Sequence, residues 1–460
     1  MMAEKRTRRR FLSEMAGLGA LTTGATLGSA GQTAARRPNI VFILADDLGY
    51  GDIGCYGSPD VRTPNIDGLA KQGVRFTSFY SNGPECTPTR TGLMTGRYQH
   101  RVGGLECAIG LANVGRYDDA SRLAAAHELG LPVEETSIAR MLKDAGYATA
   151  LCGKWHLGYE PKFLPCRHGF DYFFGSLGGA VDYFHHTESD GQLMLYQNEA
   201  PVRRAGYMTD LITEEAVGFI ARQSERPFFL YVAYTAPHAP YQGPNDRKDQ
   251  PLGPDEWDKK GSHETYAAMI ERMDQGIGAI LKALDEKGLS QNTMVVFTSD
   301  NGGTALGNNA PFRGGKGGLF EGGIRVPCIV RWPGLLPAGE TTEQAAITMD
   351  LSASMVRIAG ATPARPFDGT DVLREIEAGQ PPQPRTLFWR QRRGEVTWRA
   401  VRDGSLKYVS RSDGKATTEN LFDLARDPSE KDDLLTSRPD DLKRLKGLLA
   451  EWEREVRPKR

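Results

Sequence analysis

The chain has 460 residues, 39% hydrophobic and 25% charged, with a formal net charge of −1. This excludes a disordered chain and predicts a sizeable core, in one large α/β domain with an appendage or in two to three domains. The near-neutral balance offers no basic face for nucleic acid, though it leaves room for a local basic pocket for an anionic substrate.

The N-terminus reads Thr7-Arg8-Arg9-Arg10-Phe11-Leu12-Ser13, followed by small and weakly apolar residues up to Ala30. A charged start, a short apolar segment and small residues near Gly28-Ser29-Ala30 predict a signal peptide over residues 1–35. The adjacent arginines before Phe-Leu resemble a twin-arginine export signal, against the alternative of a basic tail. The expected location is therefore exported, periplasmic or secreted. No other stretch reaches about 18 uninterrupted apolar residues, so no stable membrane association is expected. Six scattered cysteines without a C-x-x-C pair read as small buried residues, Cys86 excepted.

Next, Asn39-Ile40-Val41-Phe42-Ile43-Leu44-Ala45 is a continuous apolar run, as in a strand buried on both faces. Helices are predicted over residues 63–73, 135–145, 210–223 and 263–287, and strands over 147–151, 227–234 and 293–298. This alternation predicts an α/β fold with a large, mostly parallel or mixed sheet flanked by helices. Near residue 360 the character changes. Pro and Arg cluster over 363–385, and short alternating runs follow at 386–389, 398–402 and 406–409, with Asp403-Gly404 as a hairpin signal. A last helix is predicted over 439–456. The expected division is 36–360 as a catalytic α/β domain and 361–460 as a smaller C-terminal antiparallel sheet with a helix.

The apolar strands end in chemistry-bearing residues. One ends in Asp46-Asp47, one in Asp300-Asn301-Gly302-Gly303, one runs into Lys154 and His156, and one into His238. In open α/β sheets the site lies beyond the carboxyl ends of the strands. Each piece alone reads as a turn residue or a helix cap. Four coincident strand ends point to one site. Three carboxylates and an amide oxygen are hard donors that suit Ca²⁺ or Mg²⁺ rather than zinc.

The segment Cys86-Thr87-Pro88-Thr89-Arg90 fits C-x-P-x-R at a helix start, where Pro is well placed and an anion is favoured. Together with Asp46-Asp47, Gly153-Lys154-Trp155-His156, Pro237-His238-Ala239-Pro240, Ser299-Asp300-Asn301-Gly302-Gly303, Arg313-Gly314-Gly315-Lys316-Gly317 and the run from Glu321 to Pro327, it resembles the sulfatase family. The match is to the arylsulfatase type with an alkaline-phosphatase-like fold, and it spans nearly all of the mature length. In that family the motif cysteine becomes formylglycine, an aldehyde that hydrates to a gem-diol.

The resemblance implies that Asp46, Asp47, Asp300 and Asn301 hold the cation with the modified Cys86, and that Arg90 stabilises the hydrated aldehyde. Lys154 and Lys316 would grip sulfate oxygens. His156 would act as base when the sulfo-enzyme breaks down, and His238 would face the leaving oxygen as general acid and bind substrate. A thiolate is a poor partner for a hard cation, whereas a gem-diol oxygen can attack sulfur and its second hydroxyl can expel sulfate. The implied partners are a sulfated small molecule or glycan and a formylglycine-generating or other maturation enzyme. Thr89 and Glu85 depart from the residues commoner in the family.

Arg313 reads as shaping the Gly-rich loop or as a site residue. The pair His185-His186 reads as lining the substrate pocket or as a polar loop. The aromatics over 170–174 read as core, and the loops 103–132 and 182–201 as specificity elements. Two other functions fit the same residues: phosphoester hydrolysis on the related architecture, disfavoured by the lack of a His-rich metal set, and non-catalytic binding of sulfated glycans, disfavoured by the complete metal and catalytic set.

Overall fold

The computed structural model describes residues 37–110, 118–223, 225–257 and 260–458. The export signal expected over residues 1–35 lies outside the described residues. At the centre is the strand Asn39–Ala45, fully buried along its length. Successive side chains of a strand point to opposite faces. Val41, Ile43 and Ala45 accordingly enter one hydrophobic core, and Ile40, Phe42 and Leu44 enter another. A run with no polar alternation is what a strand covered on both sides requires.

The sheet has ten strands. From one edge they run Glu340–Thr342, Val74–Phe76, Cys328–Arg331, Thr293–Ser299 and then Asn39–Ala45. Beyond the centre come Phe228–Ala233, Ala148–Gly153, Tyr172–Ser176, Leu195–Gln197 and Ala200–Pro201. The central strands are parallel: Asn39–Ala45 pairs in parallel with both neighbours, and Phe228–Ala233 pairs in parallel with Ala148–Gly153. Cys328–Arg331 is antiparallel to both of its neighbours, so the sheet is mixed. The parallel run places the carboxyl ends of the four strands singled out above along one edge.

The helices Met208–Arg222 and His263–Glu286 pack on one face through apolar stripes that include Leu211, Ile212, Phe219, Met269, Met273 and Ile277. The helices Cys86–Thr95, Ile138–Asp144 and Thr348–Ile358 cover the other face. Phe170, Phe173 and Phe174 are buried in these cores, as expected of core aromatics.

The helix predicted over 135–145 begins at Ile138. Ser137 caps it by accepting from the Arg140 amide at 3.1 Å, while Glu135 pairs instead with Arg97 and Arg365. Among the cysteines, Cys55 and Cys166 are only half-buried, contrary to the expectation that all but Cys86 sit in the core. Cys55 has a polar neighbour to account for this, since its amide donates to Asp67.

The C-terminal region forms a four-stranded antiparallel sheet, Thr386–Arg393, Val396–Asp403, Leu406–Ser412 and Thr417–Asp423, with the helix Pro439–Glu455 packed on it. The fourth strand was not foreseen, because Thr417-Thr418-Glu419-Asn420 is polar and lies on the open edge. This sheet shares a core with Tyr80, Ile324, Ile347 and Met349. At its centre Lys407 is fully buried between Glu321 at 2.8 Å and Glu430 at 2.9 Å. Tyr80 donates to the same Glu321 at 2.7 Å. The fold beside the Gly-rich loop is thus tied to the C-terminal sheet by buried charge. No helix among the described residues is long and apolar enough to cross a membrane.

Candidate active site

Four parallel strands stop at the same edge, and the polar residues that follow them converge. Asp46 and Asp47 leave the central strand, Asp300 and Asn301 leave the strand beside it, and Lys154 follows Gly153. All five are buried. Asp47 and His156 have left-handed backbones, φ 65° and 56°. Such conformations in non-glycine residues cluster at functional sites, where surrounding structure holds them. Two glycines make the convergence sterically possible. A Cβ on Gly302 would lie 1.8 Å from the Gly322 carbonyl oxygen, so the loop carrying Lys316 can close onto Asn301 only over a glycine. Gly153 has φ +121°, and a Cβ there would meet the Ala233 carbonyl at 1.9 Å.

Cys86 is the first residue of the helix Cys86–Thr95, which ends at the left-handed Gly96. The Cys86 thiol donates to Asp46 Oδ1 at 3.3 Å, and Lys316 Nζ lies 4.0 Å from the sulfur. Burial, then the carboxylates of Asp300 and Asp46, push this thiol well above its ordinary range. An intact thiol here stays protonated and is a poor nucleophile.

The cations interleave with the acids. Lys154 Nζ bonds Asp46 Oδ2 at 2.5 Å, Lys316 Nζ lies 2.7 Å from Asp47 Oδ1, and Arg90 grips Asp300 Oδ2 through Nε at 3.2 Å and Nη2 at 2.8 Å. Arg90 Nη1 also donates to the Lys154 carbonyl at 3.0 Å. Burial would raise Asp46, but Lys154, His238, Arg90 and Lys316 together hold it well below the usual carboxylate range. Asp300 goes the other way, raised by burial and by the Asp46 charge despite Arg90. Burial works against the Lys316 charge, yet Asp47, Cys86 and Asp46 raise it.

Both histidines reach the site. His156 Nε2 faces the Ile109 carbonyl at 2.5 Å, so that nitrogen carries the hydrogen, and the buried Nδ1 has no partner. Burial and the Lys154 charge keep this ring neutral. His238 Nδ1 faces the Ala239 carbonyl, and its Nε2 lies 3.6 Å from Asp47 Oδ2.

Asp46, Asp47, Cys86 and His238 bring one donor atom each within 4.8 Å of one another, a group able to hold a metal ion. The sequence expectation joins Asp300 and Asn301 to Asp46, Asp47 and Cys86, and the structure brings His238 beside them as well. Asp300 turns one oxygen to Arg90 and the other to the Asp47 amide. Asn301 sits directly beside the group, donating to Asp47 Oδ1 at 2.8 Å. Its own Oδ1 is buried with no hydrogen-bond partner. An orphaned buried amide oxygen beside carboxylates fits a hard cation, which takes oxygen ligands.

A cavity of about 310 Å³ opens above Cys86, His156, His238 and Lys316. Its walls include Ile109, Tyr159, Glu188, Trp257 and Arg393, none of which was singled out from sequence. The loops 103–132 and 182–201 do reach it, through Ile109 and Glu188. His185 and His186 do not: their Nε2 atoms are turned to the Lys248 and Gly206 carbonyls, so the pair serves the local loop. Arg313 stacks over Phe320 and donates to the Glu430 carbonyl, which shapes the Gly-rich loop.

A family model described as Sulfatase matches residues 38–361. The N-acetylgalactosamine-6-sulfatase of Canis lupus familiaris is 38% identical over 384 residues, covering 78% of this chain and 69% of that protein. The steryl-sulfatase of Homo sapiens is 32% identical over 435 residues, covering 76% and 71%. Among solved structures, Ps i-CgsB in complex with k-i-k-neocarrahexaose superposes with a TM-score of 0.78 at 32% identity, covering 92% of this chain and 94% of that one. With the family's motifs drawn together at one sheet edge, the chain belongs to the sulfatase family and is a sulfuric ester hydrolase.

Proposed function

We propose that this sulfatase removes sulfate from sulfated carbohydrates, with a formylglycine formed from Cys86 as nucleophile and Ca²⁺ as the cation. The observation that carries the reading is the placement of Cys86. It lies on the floor of the cavity at a helix N-terminus, 3.3 Å from Asp46 and 4.0 Å from Lys316, in surroundings that disable a thiol. An aldehyde at residue 86 supplies, once hydrated, an oxygen nucleophile and a second hydroxyl through which sulfate can be expelled. Asp46, Asp47, Asp300 and Asn301 would hold the cation beside it, with the orphaned Asn301 oxygen as a fourth hard donor. When bound, the cation lowers the pKa of an attached hydroxyl and offsets sulfate charge. An oxygen at residue 86 also turns a mixed sulfur set into a hard one that favours Ca²⁺ over zinc.

The chain's own residues take the remaining work. Lys154 and Lys316 bind sulfate oxygens and offset charge that develops there. Arg90, locked by Asp300 and the Lys154 carbonyl, holds the residue-86 side of the site in place. His156 offers the unpartnered Nδ1 as a proton acceptor. His238 faces the leaving oxygen and the substrate. The carbohydrate preference is supported by relatives named for amino-sugar substrates and by a structural relative solved with k-i-k-neocarrahexaose. We assign residues 36–360 to the catalytic domain and 361–460 to an appended subdomain, and infer export to the periplasm or medium through the signal at residues 1–35. A maturation enzyme must act on Cys86.

The test is sulfate release from a panel of defined sulfated sugars, with paired aryl sulfate and aryl phosphate, before and after chelation. Sulfated sugars are expected to turn over, the aryl phosphate to lag by orders of magnitude, and Ca²⁺ to restore chelated enzyme better than Mg²⁺ or Zn²⁺. Faster turnover of the phosphate would make the protein a phosphoester hydrolase. An absence of turnover on every ester would favour the glycan-binding alternative.

The cavity wall adds a pH dependence. Burial raises the Glu188 carboxyl to about 7, Asp190 adds to this, and the Tyr159 hydroxyl and Lys154 oppose it. Below that pH the group is uncharged, and above it a carboxylate faces an anionic substrate. KM for a sulfate ester should therefore rise several-fold between pH 6 and 8, which is what one like charge about 4 Å away produces when screened as in bulk water, roughly 1 kcal/mol. Glu188→Gln should flatten that segment of the KM profile. An unaltered profile in the variant would remove Glu188 from this role.

A further inference from the structure

Glu85 precedes the nucleophile position and departs from the residue commoner in the family. The structure gives it three ties. It is 5% exposed, its Oε2 accepts from the Ala108 amide at 2.6 Å, and its carboxylate receives Arg393 through Nε at 2.9 Å and Nη2 at 2.7 Å. Glu85 therefore joins the start of the Cys86 helix, the loop that carries Ile109 into the cavity, and the C-terminal sheet. A bidentate Arg–carboxylate fork fixes the guanidinium plane as well as its position.

Arg393 is the last residue of its strand and pairs with Val396 across the turn Gly394-Glu395, where Gly394 has φ +59°. This tight hairpin carries it to the cavity wall, where it lines the same space as Cys86, Lys316 and His238. Two of its nitrogens are spent on Glu85. The third, Nη1, has no partner among the described residues. Arg390 and Arg392, on the same strand, turn instead to Glu106. Among the described residues lining the cavity, Lys316 and Arg393 carry the positive charge and Glu188 is the single acid. Lys316 is already committed to Asp47.

We propose that Arg393, oriented by Glu85, reads a second anionic group on the sugar substrate, a carboxylate or a further sulfate, beyond the sulfate that is cleaved. The assignment rests on the sulfated-carbohydrate reading above. It makes the C-terminal sheet a contributor to specificity rather than only a support. A fixed guanidinium edge beside the scissile position suits an oxyanion with more than one acceptor oxygen. Glu188, which lines the same cavity with a raised carboxyl, adds no standing negative charge below neutral pH.

The experiment uses the full chain with its aldehyde content measured by mass spectrometry, and follows turnover of 4-nitrophenyl sulfate. Competing ligands are a monosulfated sugar, the same sugar with a second sulfate, and a disaccharide pairing that monosulfated sugar with a uronic acid. The unaltered enzyme is expected to bind one of the two doubly anionic ligands at least tenfold more tightly than the monosulfated one, and which one names the source of the second charge. Arg393→Ala should reduce that ratio to near unity, and Arg393→Lys should restore part of it. An equal loss for all three ligands would show that Arg393 only holds Glu85 and the nucleophile helix, overturning the proposal. So would a ratio near unity in the unaltered enzyme. Failure of 4-nitrophenyl sulfate to turn over at all would instead strike the underlying functional reading, and with it this one.

Discussion

Cys86→Ala is expected to lower sulfate-ester turnover by roughly 10⁴-fold or more, the scale seen when an enzyme loses its nucleophile. The substitution removes one sulfur from a fully enclosed position, so the fold should survive and circular dichroism should be unchanged. Cys86→Ser is the sharper variant. It keeps an oxygen beside Asp46 and Lys316 but has no second hydroxyl, so sulfate transferred to it has no internal route out. A single stoichiometric release of the alcohol, with sulfate retained on the protein by intact mass, is the expected signature. In the unaltered protein the peptide carrying Cys86 should show an aldehyde. Full turnover by protein whose Cys86 is wholly unmodified thiol would end this account.

The second large effect is on stability. Lys407→Met should destabilise the fold by about 3–5 kcal/mol, the range for breaking a buried ion pair from one side. Lys407 is fully buried, and its ammonium serves both Glu321 and Glu430. Burial by itself would raise Glu321, yet Lys407, Arg325 and Arg402 hold it down at about 2. Glu430 is already raised by burial. Removing Lys407 raises both acids. A carboxyl raised above its unfolded pKa costs stability once pH exceeds that unfolded value, and the cost grows up to the folded pKa. The deficit should therefore be larger at pH 8 than at pH 5. Melting temperatures at the two pH values check this, with a drop of about 3–6 °C expected at the higher one. A loss below about 1 kcal/mol at both would mean that Arg325 and Arg402 already neutralise Glu321 and that Glu430 is protonated.

Much of the site was readable in the linear chain because parallel sheets impose a rule. Once 39–45, 228–233 and 293–299 are strands of one parallel sheet, whatever follows them lands on one edge. Asp46, Asp47, Asp300 and His238 therefore meet although about 250 residues separate the first from the third. The motif around Cys86 added the helix start, and the helix begins there. The wall of the cavity was not readable in this way. Glu188, Trp257 and Arg393 sit on loops and a hairpin tip, where no period or strand-end rule says which way a side chain turns. His185 and His186 read equally as pocket lining or as a polar loop, and Glu188 was not singled out at all. The backbone carbonyls of Lys248 and Gly206 decided for the loop.

Local pattern settled the element types, the doubly buried central strand and the family, because apolar periodicity and short motifs act within a few residues. Tertiary structure alone decided that His238 joins the acidic group while Asp300 turns to Arg90, that the Asn301 oxygen is left unpartnered, and that Glu85 is tied to Arg393. Those outcomes depend on which charges are brought within a few ångströms of one another in a dry interior, and electrostatic pairing across hundreds of residues leaves no periodic trace in the chain.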